Sequence, residues 1–264
     1  MKNILVPLGL SDNATHTLNY AIRFAQSTQA TIYIMDSFNP SFHHAYLHNV
    51  NETVSRSNFN RIKELVKEID HQGINIQLVT YEGEFLKGVS SLNTKVNLDL
   101  IITGPLPNSN DDSIFLGPTP GRLVKKTDIP VLIVPESVSY KPLKKALFTF
   151  KKGQVKGERS LEPIHFLQQN VDTQISLLLV KIPGIQRQEL SIDHEVVELS
   201  NQMTSTENAT VYQGVLEFFR EVQPDLLIVF ARERGFFEKL ISSDVVYKKD
   251  FYTTSPLLVL KNRS

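Results

Sequence analysis

Apolar residues in this chain come in short dense runs, and between the runs they fall into helical stripes. Residues 4–8 (ILVPL) are nearly all apolar, as expected of a strand covered on both faces. Leu18, Ala21, Ile22 and Ala25 follow at i, i+3, i+4 and i+7, one face of a helix. Residues 30–35 (ATIYIM) predict a second strand. Ile62, Leu65, Val66 and Ile69 predict a second helix that stops near Gly73. Ile74, Ile76 and Leu78 alternate as a third strand. A helix over 85–96, a strand over 98–103 (LDLIIT), a helix over 118–127 and a strand over 130–134 (PVLIV) complete the series. Strands separated by helices imply crossover connections and a parallel sheet.

The series then restarts. Strands are predicted at 146–150 (ALFTF), 174–182 (QISLLLVKI), 209–212, 224–230 (PDLLIVF) and 256–260 (PLLVL). Helices are predicted over 158–169, 188–203, 215–222 and 236–249. One interval marks this as an internal repeat. Asp99 opens DLIITG and Pro130 opens PVLIV; Asp225 opens DLLIVF and Pro256 opens PLLVL. The separation within the first pair equals the separation within the second. The first strands, at Ile4 and Ala146, are offset by more than these later ones, so the second copy is shorter in its middle. A polar stretch bracketed by prolines, 135–142 (PESVSYKP), separates the copies. The expected domains are 1–138 and 142–264.

Composition narrows the chemistry. The 264 residues contain no cysteine, which excludes disulfide frameworks, thiolate metal sites and cysteine nucleophiles. Lys+Arg and Asp+Glu are both 28, and a neutral chain has no global field for nucleic acid. No apolar stretch approaches the roughly 20 residues of a membrane helix. A soluble, cytoplasmic protein with no membrane partner is expected. Glycine numbers only 12, below the roughly 7% of average usage.

The strand ending in proline (ILVP), the five-strand unit and the loop and helix between strands four and five resemble the universal stress protein family. The resemblance covers nearly all of both halves, as a tandem of two such domains. It implies an α/β fold of two Rossmann-like, adenine-nucleotide-binding-like domains. Each is an open five-stranded, mainly parallel sheet with helices on both faces. In that family the fifth strands of two domains pair, and here both fifth strands are apolar edges that need cover. They are expected to pair within the chain; a homodimer of whole chains stays open.

Many members of that family bind ATP through glycine, two residues, a second glycine, nine residues, then Gly-Ser/Thr. Glycines let backbone N–H groups approach phosphate, and the last pair opens a helix whose N-terminus favours anions. Here Gly104 and Gly117 match, Pro107 replaces the second glycine, and Pro118 stands at the hydroxyl position, with Thr119 one residue further on. Gly9 stands where the family usually has aspartate. The binding set the resemblance implies is Pro7, Leu8, Gly9, Asp36, Gly104, Leu106, Gly117 and Thr119. Asp111 and Asp112 add negative charge to the same loop. In the second half the matching positions are Phe230, Glu233, Ser243 and Asp244, with Lys151 after the first strand. That half is expected to have lost the nucleotide loop, with Phe236, Phe237 and Leu240 serving as core and interface anchors.

Other signals read as structural. GEFLKGVS at 83–90 has Val89 where a phosphate-binding P-loop needs lysine. His44 and His48 share a helical spacing next to His43, but no acidic residue within that stretch completes a metal site. Ser11 and Asp12 suit a helix cap. Asp99 and Asp225 read as turn residues, and Lys125, Lys126, Lys248 and Lys249 as helix C-terminal charges. No catalytic constellation emerges. The expectation is a non-catalytic stress-response protein acting through an unidentified protein partner, with at most weak binding of ATP or another adenine nucleotide in the first domain. An adenine-nucleotide switch and a nucleotide hydrolase are the alternatives.

Overall fold

A computed structural model of the chain describes residues 1–8, 13–38, 59–105, 111–150, 153–157, 159–181, 192–200, 202–208, 211–231, 244–248 and 251–262. The first half supplies β1 (Asn3–Pro7), α1 (Ala14–Gln26), β2 (Thr31–Phe38), α2 (helical over 59–68), β3 (Ile76–Glu82), α3 (Phe85–Val96), β4 (Leu100–Thr103), β5 (Ile114–Leu116), α4 (Pro118–Lys126) and β6 (Val131–Ile133). The second half supplies β7 (Lys145–Phe150), α5 (Glu162–Val171), β8 (Gln174–Lys181), α6 (His194–Val197), β9 (Met203–Glu207), α7 (Val211–Val222), β10 (Leu226–Phe230), β11 (Val246–Tyr247) and β12 (Leu257–Leu260).

Ten of these strands form one sheet, in the order β3-β2-β1-β4-β6-β12-β10-β7-β8-β9. Each half contributes the same order, counted outward from the middle. Neighbours within each half are parallel, and the two halves meet where β6 pairs antiparallel with β12. Val131, Leu132 and Ile133 face Val259, Leu258 and Leu257. Leu132 and Leu258 stand at the same offset as Asp99 and Asp225, so equivalent residues of the repeat meet and the junction is centred on a local two-fold axis. The five-stranded units expected from the sequence are thus present but fused into one Rossmann-like α/β sheet.

Burial accounts for the central strands. Every residue of β4, β6, β10 and β12 is buried, as a central parallel strand requires. One core layer joins Ile4, Val6, Leu18 and Ile22 to Phe148 and Ile164; the other joins Leu5, Ile101 and Leu123 to Leu147 and Val259. At roughly 1.5–3 kcal/mol for each fully buried aliphatic side chain, these two layers drive the fold. Among the described residues, no helix is long and apolar enough to cross a membrane.

An identical device holds the inner strands of each half together. The Asp99 carboxylate accepts hydrogen bonds from the Lys2 and Asn3 amides, at 2.6 and 3.0 Å. Asp225 accepts from the Lys144 and Lys145 amides, at 3.1 and 2.9 Å. Each aspartate thereby ties the start of the fourth strand of its half to the start of the first.

Four expectations from the sequence are corrected. The third strand of the second half is Met203–Glu207, not 209–212, where α7 begins. It is an edge strand with exposure on both faces, so it carries no apolar alternation. The helix expected over 188–203 is the short α6, because the chain must turn to enter β9. The helix expected from 158 starts at Glu162, with Pro163 in its first turn. Within 236–249, residues 246–247 form a strand. That strand, β11, pairs antiparallel with β5, an element without a sequence signal, and the Lys248 amide donates to Ser113 O at 2.7 Å.

This ribbon is one of several ties between α4 and the second half. A Cβ on Gly121 would lie 2.1 Å from the Asp244 carbonyl oxygen, so only glycine admits the two backbones this closely. Lys125 Nζ lies 3.3 Å from Asp244 Oδ1. The buried Lys261 Nζ donates to Val124 O in the last turn of α4.

Candidate functional site

The sheet order reverses between β1 and β4, and open parallel sheets bind ligands beyond the carboxyl ends of the strands at such a point. Pro7 ends β1, half-buried and in register with Met35 of β2. Leu8 turns into the core layer of Ile4 and Val6, so its side chain is not presented to the crevice. Asp36 follows Met35 and is half-buried; burial pushes its carboxyl up, against the pull of the Ser37 amide. On β4, Thr103 Oγ1 donates to Gly104 O at 3.2 Å. A Cβ on Gly104 would stand 3.1 Å from Oγ1 of the buried Thr17 of α1. The strand ends therefore bring Pro7, Asp36 and Gly104 to one edge. Gly9, Leu106 and Pro107 lie outside the described residues, as do Ser11, Asp12, His43, His44 and His48.

The other wall is the start of α4. Gly117 is its N-cap, extended at φ −74° and ψ 175°. Its buried N–H already donates to Pro105 O at 2.8 Å. Pro118 and Pro120 have no N–H, and the Gly121 N–H donates to Gly117 O at 2.9 Å. An ordinary helix offers about four unpaired amides at this end. Among residues 117–121, this helix has only the Thr119 N–H left for an anion. The approach to β5 is itself negative. Ser113 donates through its hydroxyl and its amide to Asp111 Oδ1, at 2.6 and 2.9 Å, and holds that carboxyl below its ordinary range.

The corresponding edge of the second half is filled. Phe230 occupies the place of Gly104, with its ring 5.5 Å from that of Phe148, which in turn packs on Phe150 at 5.3 Å. Thr149 stands in the place of Pro7, 1% exposed, and its hydroxyl has no partner among the described residues. Asp244, at the hydroxyl position, is committed to Lys125 and to the backbone of Gly121. Lys151, Glu233, Phe236, Phe237, Leu240 and Ser243 lie outside the described residues. Among the described residues, no cluster of three histidine or acidic side chains can hold a metal ion.

Sequence reasoning missed two contributors. Thr17 is invisible because the helix that carries it lies far from Gly104 along the chain and meets it only in the fold. The Pro118-Thr119-Pro120 triplet was legible, since counting amides in the first turn of α4 requires no coordinates.

The fold has solved relatives. A universal stress protein from Archaeoglobus fulgidus DSM 4304 superposes with a TM-score of 0.72 at 17% identity, covering 98% of each chain. A functionally unknown protein from Pseudomonas aeruginosa PAO1 superposes at 0.60 with 16% identity, over 99% of this chain and 93% of the other. At such identities these likenesses speak to the fold. No curated protein matches the chain in sequence. The family model described as the universal stress protein family matches residues 1–135, just over half of the chain. With the strand order and the crevice beside Gly104 and Gly117, that match places the chain in the universal stress protein family.

Proposed function

We propose that this chain is a cytoplasmic, non-catalytic stress-response protein that acts by binding a protein partner. In this reading residues 1–138 and 142–264 are two units, and any nucleotide is held weakly and only by the first. One observation carries the reading: the first turn of α4 has a single amide left to meet a phosphate, while its counterpart crevice is packed with phenylalanine. Each backbone amide lost from an anion site removes a charge-assisted hydrogen bond, the stronger kind. The residues present do not make a triphosphate cradle.

Calorimetry of the full chain with ATP and with AMP tests this. The expected result is no heat with ATP up to about 1 mM, which is binding weaker than about 4 kcal/mol. A micromolar ATP affinity that Gly117→Arg abolishes would overturn the reading. Steady release of phosphate from ATP would favour a hydrolase instead.

A further inference from the structure

Strand register aligns the two halves residue by residue. Thr31 faces Asn3 as Gln174 faces Lys145, so Ser176 stands where the first half has Tyr33. Val79 faces Met35 as Thr204 faces Leu178, so Thr204 stands in the place of Val79. The helices above align through their glycines. A Cβ on Gly88 would come within 2.8 Å of Tyr81, and one on Gly214 within 2.9 Å of Thr206, the matching strand residue. Phe218 and Val222 of α7 therefore match Leu92 and Val96 of α3.

In the first half this space is filled. Tyr33 and Leu92 are buried in the core layer, with Val79 and Val96 packed against them. The second half puts hydroxyls at two of those four positions, and Phe218 replaces only part of the lost volume. This space is part of a cleft of about 850 Å³ that runs round the start of β8 and β9, from the end of α7 on one face of the sheet to Gln168, Glu198 and Leu199 on the other. That size falls within the roughly 300–1,000 Å³ range of small-molecule sites. It lies at the amino ends of the strands, the opposite end of its half from the position of Phe230.

Its lining defines a chemistry. Ser176 and Thr204 supply hydroxyls that make no hydrogen bond to other described residues. Gln174 and Gln202 supply amides, each with two donors and an acceptor, and Glu221 an acceptor. Phe218, half-exposed, supplies an apolar surface. The described lining residues include one cation, Lys145, and two carboxylates, Glu198 and Glu221, a net negative balance, so the cleft has no attraction for a phosphate or other polyanion. Paired donors and acceptors beside an aromatic ring suit a molecule with many hydroxyls and an apolar face. We propose that this cleft binds a neutral sugar, with a pyranose face on Phe218 and its hydroxyls on Ser176, Thr204 and the two glutamines.

The test is a titration of the ¹⁵N-labelled full chain with glucose and with maltose, followed by amide shifts. Saturating millimolar shifts confined to 174–176, 202–204 and 218–222 are expected. Ser176→Tyr restores the side chain that fills the first half; it should raise the melting temperature and abolish those shifts. Phe218→Ala should weaken binding about tenfold through loss of the aromatic surface. Thr204→Val, which keeps shape and removes one hydroxyl, should weaken it about fivefold and serves should the tyrosine variant fail to fold. The absence of saturating shifts with both sugars overturns the proposal, as does unchanged affinity in Thr204→Val and Phe218→Ala.

Discussion

The two halves share a strand order and differ in what covers it. Asp99 and Asp225 make the same pair of hydrogen bonds, Gly88 and Gly214 lie against the same strand position, and β6 and β12 pair about a local two-fold axis. The covering layer is different. The long helix α2 corresponds to the single turn of α6, Gly104 to Phe230, and Tyr33 to Ser176. Residues that set the register are thus duplicated, while residues that shape strand ends and the space under helices are not. A second copy tethered in the same sheet can lose its crevice without losing its strands, because the two depend on different side chains.

That division can be challenged by substitution. Gly121→Ala strikes the junction; its methyl would meet the Asp244 carbonyl, and a loss of about 3 kcal/mol in urea denaturation is expected. The matched glycines come next. Gly88→Ala and Gly214→Ala should each cost about 2 kcal/mol, net of the gain in helix propensity. A large inequality between them would show that the equivalence is one of sequence alone. The aspartates should be unequal in a stated direction. Burial pushes the Asp225 carboxyl up, but Lys141 at 2.6 Å and the Lys145 and Lys144 amides outweigh it and hold the group below its usual range. Asp225→Ala should therefore cost about 2 kcal/mol and Asp99→Ala about 1 kcal/mol.

A further effect, read against pH, concerns Lys261. Burial pulls its ammonium down from 10.5 to about 8, against the pull of Asp128. The folded state then binds fewer protons than the unfolded one between those values, so this group's penalty is full below pH 8 and fades as pH rises to 10.5. Stability measured across that window should rise for the parent chain relative to Lys261→Met.

The sequence disclosed the repeat, the central strands and their partners because those elements bury both faces and so read as unbroken apolar runs. LLIVF at β10 and LLVL at β12 leave little alternative. It failed at β9, where MTSTE is exposed and owes its conformation to hydrogen bonds from Leu177–Lys181 rather than to its own side chains. The β5–β11 ribbon failed for a related reason, since each strand is paired only with a segment from the other half of the chain. At the crevice, the glycines and prolines were legible; the Gly117 N–H spent on Pro105 was not, because that bond depends on how the loop closes.

The antiparallel pairing of β6 and β12 has one more consequence. Two separate copies joined through such strands would come apart on dilution, and their stability would carry a term in protein concentration. Here the partner strand is supplied by the same molecule, at a local concentration set by the chain between Ile133 and Lys145 rather than by the surroundings. The junction is therefore as complete in a single molecule as in a concentrated solution, and its unfolding midpoint should be the same at nanomolar as at micromolar protein.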